Sequence, residues 1–380
     1  MDDEKHFFVG IDLGTTNSSV HWGALNPATG RVEPRQLAFD QKTSDGTIQR
    51  RALLPSYIWF RQEEDTPLVG EYARSRGLEA QPSRVARAVK NFMGKDDWCF
   101  QVDDKVYSAA QLSSILLQTM FVGIKRTWGE SVRDVVITVP ASFDGDMRAD
   151  TLEAAELAGF KVAESQGGPR NLLVDEPRAA LYDFLNQQLS RHLPPGILLD
   201  LTSPKMVLVF DLGGGTLDVS LHRVKQSTDV DEIGVEDLAI SRYTQLGGGL
   251  FDGLIADELQ QRFEARHSIK LEDLPPIDRH QVRIRLEIQA EQAKQRLTND
   301  IERRLNQGQQ EVPADFAVDV HLPFVYDNKG LFTRLTKKEF EDAISPLLAP
   351  DLTLEDAGRL EHLKGTDNVV CDEFSCSTDV

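Results

Sequence analysis

Two stretches of the chain share one pattern of apolar and polar positions. Residues 8–20 read FVGIDLGTTNSSV, and residues 208–220 read LVFDLGGGTLDVS. In each, an apolar run enters an Asp-Leu-Gly turn and a second β-prone run leaves it, which predicts a strand, a tight turn and a strand. The repeated pattern predicts two similar halves that meet across a cleft.

Periodicity predicts the main elements between and after these hairpins. Residues 109–128 are predicted to be an amphipathic helix, and residues 134–143 a buried strand that ends at Pro140, followed by a helix over 147–158. A long helix is predicted over 279–298. The apolar face of the first helix is assigned to Leu112, Ile115, Leu116, Thr119 and Val122, and the buried stripe of the long helix to Leu286, Ala290, Ala293 and Leu297.

The chemistry of the two turns points to phosphate. Glycines lack a Cβ, so their amides approach a ligand closely, and successive amides in such a turn form a nest for an anion. Asp12 and Asp211 end the two entry strands, and they would repel a polyphosphate unless a partly hydrated Mg²⁺ lay between. For one copy alone, a purely structural turn is an equal alternative; the second copy favours a Mg²⁺-nucleotide site.

Composition limits the other classes of function. The 380 residues carry a net charge of −19, which disfavours nucleic acid as a partner because a phosphate-binding face needs clustered Lys and Arg. The acidic start does not resemble a signal peptide, and no apolar run reaches the ~18 residues of a membrane span. Three cysteines do not make a disulfide framework. A cytoplasmic protein of two or three domains is expected.

Several further motifs, in order, resemble the nucleotide-binding domain of the Hsp70 (DnaK-like) chaperone family, a relative of actin and the sugar kinases. They are RAVKNFMGK, VITVPASF followed by Arg148, LLVDEPRAAL, the second hairpin and LGGGLFDGL. The resemblance implies an actin-like α/β ATPase fold of two lobes with duplicated mixed-sheet cores and inserted subdomains. Lobe I is expected over 1–205 with an insertion at about 55–130, and lobe II over 206–370 with a helical part at about 250–330.

The resemblance also implies roles for individual residues. Lys90, Glu176, Asp211, Thr216 and Asp218 are the expected catalytic residues, and Asp12 and Asp211 the expected metal-binding carboxylates. Pro140 and Arg148 are expected to carry the nucleotide state between lobes. Expected nucleotide contacts are Gly14, Thr15, Thr16, Gly213, Gly214, Gly215, Gly247, Gly248, Glu291, Lys294 and Thr298.

Each of these positions has a plainer structural interpretation. Lys90 alone reads as a solvated lysine, and Glu176 with Pro177 as the start of a helix. Thr216 and Asp218 are alternatively edge residues of a turn. Glu291, Lys294 and Thr298 share a helix edge that is usually solvated. Pro140 alone reads as the end of a strand, and Asp252 is expected to cap a helix.

The chain departs from the family pattern at identifiable positions. Asp175 and Arg178 replace the usual Asn and Thr around Glu176, and Gln295 replaces an Arg that stacks on adenine. After DNVV at 367–370 the sequence reads CDEFSCSTDV instead of the expected adenosine loop. The hypothesis is a truncated or frameshifted member with a divergent tail at 371–380 and no peptide-binding domain. A metal site at Cys371 and Cys376 is disfavoured.

The expected function is binding of Mg²⁺-ATP and its hydrolysis to ADP as the ATPase part of a chaperone. Expected partners are the nucleotide, a J-domain co-chaperone and a nucleotide-exchange factor, without nucleic acid or membrane. Two alternatives stay open: a nucleotide-binding remnant or regulatory module without turnover, and a sugar or metabolite kinase. Rival P-loop, GxGxxG and HExxH motifs are missing from the sequence.

Overall fold

The structure is a computed structural model, and all structural statements concern the residues it describes. These are residues 7–26, 31–32, 34–62, 64–128, 134–163, 170–190, 192–193, 197–226, 233–242 and 244–348. The expected strand at 367–370, the tail at 371–380 and both of its cysteines lie outside the described residues.

The described residues form nineteen strands and seven α-helices. The strands are β1 Phe7–Asp12, β2 Asn17–Asn26, β3 Arg31–Val32, β4 Arg35–Gln36, β5 Phe39–Lys42, β6 Ile48–Arg51, β7 Leu54–Pro55, β8 Tyr57–Trp59, β9 Leu68–Val69, β10 Val85–Arg87, β11 Phe100–Val102, β12 Lys105–Tyr107, β13 Asp134–Val139, β14 Leu173–Asp175, β15 Lys205–Leu212, β16 Leu217–Gln226, β17 Ile233–Ile240, β18 Ala317–Tyr326 and β19 Lys329–Thr336. The helices are α1 Leu78–Ala80, α2 Ala109–Trp128, α3 Gly145–Leu157, α4 Glu176–Leu189, α5 Gly248–His267, α6 Pro276–Asn306 and α7 Lys337–Leu348. A π-helical turn covers Ala73–Gly77, and 3₁₀ turns cover Pro82–Arg84, Val89–Phe92 and Leu271–Asp273.

The first hairpin forms the centre of a seven-stranded mixed sheet. Strand β1 pairs antiparallel with β2 and parallel with β13, which in turn pairs parallel with β14. Parallel strands end at the same sheet edge, and the register places Asp12 beside Thr138 and Val139 beside Asp175. Asp12, the segment after β13 and the start of α4 therefore emerge together.

The second hairpin forms an antiparallel sheet with β17. Strand β15 pairs over its full length with residues 217–224 of β16, and Asp211 lies directly opposite Asp218. Strand β16 also pairs with β17, with a register irregularity between Leu221 and His222. Both predicted strand–turn–strand units are confirmed; Asp12 is the last residue of β1, and Asp211 is the last but one of β15.

The largest apolar core lies against the first sheet and is formed with α2 and α3. Helix α2 has the predicted bounds, but the predicted apolar face is wrong at Val122, which is 41% exposed. The buried face instead continues from Leu112 and Leu116 to Leu117, Met120 and Ile124. Leu112 and Leu116 belong to both the predicted and the observed face, so helical spacing alone did not distinguish the two. Packing against α3 determines which face is buried.

Two helix starts differ from the sequence expectation. Helix α3 begins before the predicted residue 147, because Asp144 is the N-cap and accepts a 3.0 Å hydrogen bond from the Met147 amide. In α5, Gly247 is the N-cap and Asp252 lies inside the helix, so the predicted cap at Asp252 is wrong. The stripe predicted in α6 is confirmed, since its four residues are fully buried.

The chain divides into two compact units. One consists of Met1–Gln292 with His321–Phe332 and contains both hairpins; the other consists of Ala293–Val320 with Thr333–Val380, of which residues up to Leu348 are described. The expected lobe boundary near residue 205 stays a prediction. None of the described helices combines the length and the apolar character needed to cross a membrane.

The packing of α2 gives a stability prediction. Leu117 is fully buried in the main core, so Leu117→Ala should lower the free energy of unfolding by about 2–5 kcal/mol through lost burial and a cavity. The control Val122→Ala, on the exposed side of the same helix, should cost less than about 1 kcal/mol. Denaturant titration of both variants checks this, and equal costs would contradict the observed helix face.

Candidate functional site

A cleft of about 850 Å³ is lined by residues from both hairpins. It also receives side chains from the 3₁₀ turn Val89–Phe92, from β13 and from the first turns of α4. The expected site residues that line it are Asp12, Gly14, Thr15, Thr16, Lys90, Glu176, Asp211, Gly213, Gly214 and Thr216. Residues far apart in sequence are thus brought to one cavity of the size that holds a small ligand.

The turn of the first hairpin is held by hydrogen bonds from Ser56. The Ser56 hydroxyl donates to the Gly14 carbonyl at 2.7 Å, and the Ser56 amide donates to the Thr16 carbonyl at 2.9 Å. A Cβ at Gly14 would lie 2.0 Å from the Asn17 carbonyl oxygen. The turn is therefore braced in a shape that excludes a side chain at Gly14.

The second turn is braced by the start of α5. The Gly248 amide donates to the Gly213 carbonyl at 3.0 Å, and the Gly249 amide to the Gly214 carbonyl at 2.8 Å. Gly247 packs so closely that a Cβ there would lie 2.7 Å from the Gly215 nitrogen. Gly247 and Gly248 thus support the glycine turn from behind, and their expected contact with nucleotide stays a prediction.

The two turns approach each other with no room for a side chain between them. A Cβ at Gly214 would lie 2.2 Å from Thr16 Oγ1, and a Cβ at Gly215 would lie 2.2 Å from Asn91 Oδ1. Asn91 also lies 3.5 Å from Thr15 Oγ1, which can donate to it. Sequence reasoning missed Asn91 because it shows no signal beyond being next to Lys90.

Lys90 and Glu176 form a buried ion pair in the cleft. Lys90 is only 8% exposed, its Nζ donates to Glu176 Oε1, and it lies 5.9 Å from the centroid of the Phe143 ring. Lys90 is therefore not the solvated lysine of the plainer interpretation. Glu176 is the first residue of α4, with Asp175 as N-cap, so the helix-start interpretation is confirmed and compatible with a site role.

The carboxylates of the site perturb one another. Burial raises the pKa of Glu176, and Asp12 and Asp211 add to the rise while Lys90 opposes it. Burial likewise raises the pKa of Asp211, reinforced by the negative charges of Asp218 and Asp12. The site therefore holds more negative charge than its own lysine balances, an arrangement that favours binding of a cation.

Asp218 is buried and held by a residue that sequence reasoning did not select. It is 1% exposed, and its Oδ1 accepts bonds from the Ser142 hydroxyl at 2.5 Å and from the Ser142 amide at 3.3 Å. Ser142 belongs to the segment after Pro140, which is itself buried. The segment that ends β13 is thereby linked to the second hairpin.

Arg148 connects the same segment to α4. Its Nε donates to the Phe143 carbonyl at 3.0 Å, and its Nη2 donates to Asp175 Oδ1 at 2.6 Å. Asp175 directly precedes Glu176. The segment that follows Pro140 thus contacts Asp218 through Ser142 and the start of α4 through Arg148, and the expected signalling role of Pro140 and Arg148 stays a prediction.

The remaining expected contacts are Thr216 in the second turn and three residues of α6. Thr216 is 9% exposed, and its carbonyl accepts from the Gly213 amide at 2.9 Å, so it closes the second turn. Glu291, Lys294 and Thr298 lie in α6, where the Thr298 hydroxyl donates to the Lys294 carbonyl at 3.0 Å. Lys294 and Thr298 belong to the second compact unit, and the expected nucleotide contacts of all three α6 residues stay predictions.

The donor set fits a hydrated Mg²⁺ bound together with phosphate. Among the described residues, no three His, Cys, Asp or Glu side chains are grouped so as to hold a metal ion by themselves. Asp12 Oδ1 lies 3.3 Å from the Thr138 hydroxyl at the cleft wall, and Asp211 faces the same cavity. Carboxylates in this number suit Mg²⁺, which keeps several waters and takes further ligands from a phosphate.

The raised pKa of Asp211 gives a stability prediction. An acid with a raised pKa contributes stability below its ordinary value of 3.8 and loses it as pH rises through the folded-state value. Asp211→Asn should therefore raise the melting temperature of the ligand-free chain near neutral pH, by roughly one or two degrees. The gain should shrink as the pH falls.

Asp45, a carboxylate whose pKa is lowered instead of raised, supplies the control. Hydrogen bonds from Thr43 and Thr47 lower the pKa of Asp45 to about 2. Asp45→Asn should lower the melting temperature near neutral pH, and that loss should disappear as pH falls from 3.8 towards 2. Scanning calorimetry across pH measures both, and shifts of the same sign would contradict the described site electrostatics.

Comparison with known proteins agrees with this geometry. The model of the family described as Hsp70 protein matches residues 8–357. Proteins named chaperone protein DnaK are similar: that of Thermotoga petrophila is 30% identical over 353 residues, covering 92% of this chain and 49% of the relative. That of Thermoplasma volcanium is 32% identical over 344 residues, covering 90% and 47%.

A third relative, the chaperone protein DnaK of Nitrosopumilus maritimus, is 30% identical over 345 residues, covering 90% of this chain and 45% of the relative. The chain thus spans about half the length of the curated relatives it matches. The mixed seven-stranded sheet and the α/β content agree with the actin-like fold expected from the sequence. With a family match that covers nearly its whole length, and with two glycine hairpins at one cleft, the chain belongs to the Hsp70 family.

Proposed function

We propose that the chain binds Mg²⁺-ATP in the cleft between its two hairpins and hydrolyses it to ADP, as the ATPase part of a chaperone. The observation that carries the proposal is the convergence of two braced turns, the carboxylates of Asp12, Glu176 and Asp211, and the buried Lys90 at one cavity. Family membership supports the same activity. The proposed partners, a J-domain co-chaperone and a nucleotide-exchange factor, and the cytoplasmic location remain sequence-based proposals.

The turns suit the phosphate chain. Gly214 from one hairpin and Thr15 and Thr16 from the other line the cleft. Turns of this kind offer backbone amides and hydroxyls to a ligand. Such groups bind phosphate oxygens without bringing bulk or further negative charge. Asp12 and Asp211 would hold the hydrated Mg²⁺, which when bound neutralises phosphate oxygens.

The buried pair suits the chemical step. The Lys90 ammonium is held in the cleft by Glu176, where it can stabilise charge on a transferring phosphoryl group. Glu176 and Asp211, whose pKa values are raised, and Asp218 can accept hydrogen bonds from a water and orient it for in-line attack. Thr216 helps to set the shape of the turn beside them.

The approach of the two turns predicts a steric effect on binding. Gly214→Ala places a Cβ 2.2 Å from Thr16 Oγ1 and must separate the hairpins, so binding of Mg²⁺-ATP should weaken at least about tenfold. The control Gly145→Ala, at a glycine outside the cleft where a Cβ would meet nothing within 4 Å, should bind like the parent. Calorimetric titration measures both, and equal affinities would argue against a nucleotide clasped by both turns.

The buried lysine predicts a loss of turnover without a loss of binding. Lys90→Met should slow single-turnover hydrolysis by about a hundredfold or more, because charge stabilisation at the phosphoryl group is removed. Nucleotide affinity should change by less than about threefold, since the turns and the metal remain. The measurement is phosphate release from prebound ATP.

A lysine close by provides the control for this variant. Lys95 does not line the cleft, and its Nζ lies 5.3 Å from the centroid of the Phe92 ring, so Lys95→Met should leave both binding and hydrolysis unchanged. Unchanged hydrolysis in Lys90→Met would remove its assigned role. Saturable binding without any hydrolysis in the unmodified chain would favour the regulatory module instead, and phosphoryl transfer to a sugar would favour the kinase.

A further inference from the structure

A polar relay beside Glu176 is not used by the proposed reaction. Arg178 Nη2 lies 2.8 Å from Asp237 Oδ2, and His222 Nδ1 lies 2.8 Å from Asp237 Oδ1. His222 Nε2 lies 2.8 Å from the Ser220 hydroxyl oxygen. We call these four side chains the Arg178 relay; they connect α4 to β16 and β17.

The inner part of the relay is buried and fully bonded. His222 and Ser220 are each 2% exposed, both ring nitrogens of His222 are bonded, and both carboxylate oxygens of Asp237 are bonded. Buried polar groups are costly unless they are paired, and a connected network allows few alternative geometries. The relay therefore fixes the rotation of α4 about its own axis and its distance from the sheet.

The relay shares its two elements with the proposed water-orienting carboxylates. Asp218, Ser220 and His222 alternate along β16 and all face the buried side of the sheet. Glu176 begins the helix that carries Arg178. A constraint between Arg178 and this face of β16 therefore also constrains the position of Glu176 relative to Asp218.

Apolar packing alone does not provide this constraint. Leu181 and Leu185 pack with Leu201 and Val224, which holds α4 against the second sheet. These contacts begin more than one helical turn after Glu176, and apolar contacts are not directional. The Asp175–Arg148 bond fixes the other side of Glu176 towards the first sheet, so the relay supplies the missing directional contact towards the second.

We propose that Arg178, Asp237 and His222 are positioning residues, which fix Glu176 opposite Asp218 so that the attacking water is oriented for hydrolysis. The inference rests on the proposed ATPase function and adds residues that do not line the cleft. Displacement of a catalytic group by about 1 Å can cost about a hundredfold in rate. Loss of the relay is expected to lower the rate while leaving nucleotide binding intact.

The test is single-turnover hydrolysis of prebound ATP by Arg178→Met, Asp237→Asn and the double variant. Each single variant should hydrolyse about 5–20-fold more slowly, with nucleotide affinity unchanged within about twofold. The double variant should be no slower than the slower single variant, because the two residues act as one unit. Arg178→Lys, which keeps the charge, should recover part of the rate.

A matched control lies one register position away on the same two strands. Arg223 Nη1 and Glu236 Oε2 are 2.8 Å apart, and this pair joins β16 to β17 without involving α4. Arg223→Met should leave rate and affinity unchanged. If Arg178→Met does not fold, Asp237→Asn carries the comparison, because an amide keeps the carboxylate's shape.

The outcomes separate the inference from the proposed function. Hydrolysis at the parent rate in the relay variants, additive losses in the double variant, or equal losses of rate and affinity would overturn the positioning role while the ATPase function stands. A folded parent chain that binds no nucleotide or does not hydrolyse it would overturn the ATPase function, and the positioning role with it.

Discussion

The site depends on the close approach of two backbone turns. A side chain at Gly214 would collide with Thr16, and one at Gly247 would collide with the backbone of Gly215. Because neither side chain exists, the two hairpins meet and the strand ends that carry Asp12 and Asp211 face one cavity. The sterics of a few glycines thereby decide where every charged group of the site lies.

The electrostatics of the cleft follow from that approach. Strand pairing puts Asp211 opposite Asp218, and the parallel pairs of the first sheet bring Asp12 and Glu176 to the same edge. Lys90 balances only part of this charge, so the pKa values of Glu176 and Asp211 are raised. Repulsion among the carboxylates therefore destabilises the ligand-free cleft, and a bound cation with phosphate would reduce this repulsion. Such destabilisation is often seen at functional sites.

What the sequence predicted correctly is local or periodic. The two hairpins, the bounds of α2 and the buried stripe of α6 follow from alternation, turn residues and helical spacing. What it missed depends on tertiary contacts. Asn91 reaches Thr15, and Ser142 reaches Asp218, each across 76 positions of sequence, and nothing in the local pattern of either residue indicates the partner.

Asp175 and Arg178, which depart from the family pattern, are explained by their ion-pair partners in the structure. Asp175 and Arg178 flank Glu176 and, taken singly, weaken the resemblance at that motif. In the structure Asp175 pairs with Arg148, and Arg178 pairs with Asp237, which also holds the buried His222. The charges of Asp175 and Arg178 are thus each neutralised by a residue from a different element, Arg148 of α3 and Asp237 of β17. The start of α4 is thereby held from both sides. Asp175 and Arg178 together keep Glu176 in place.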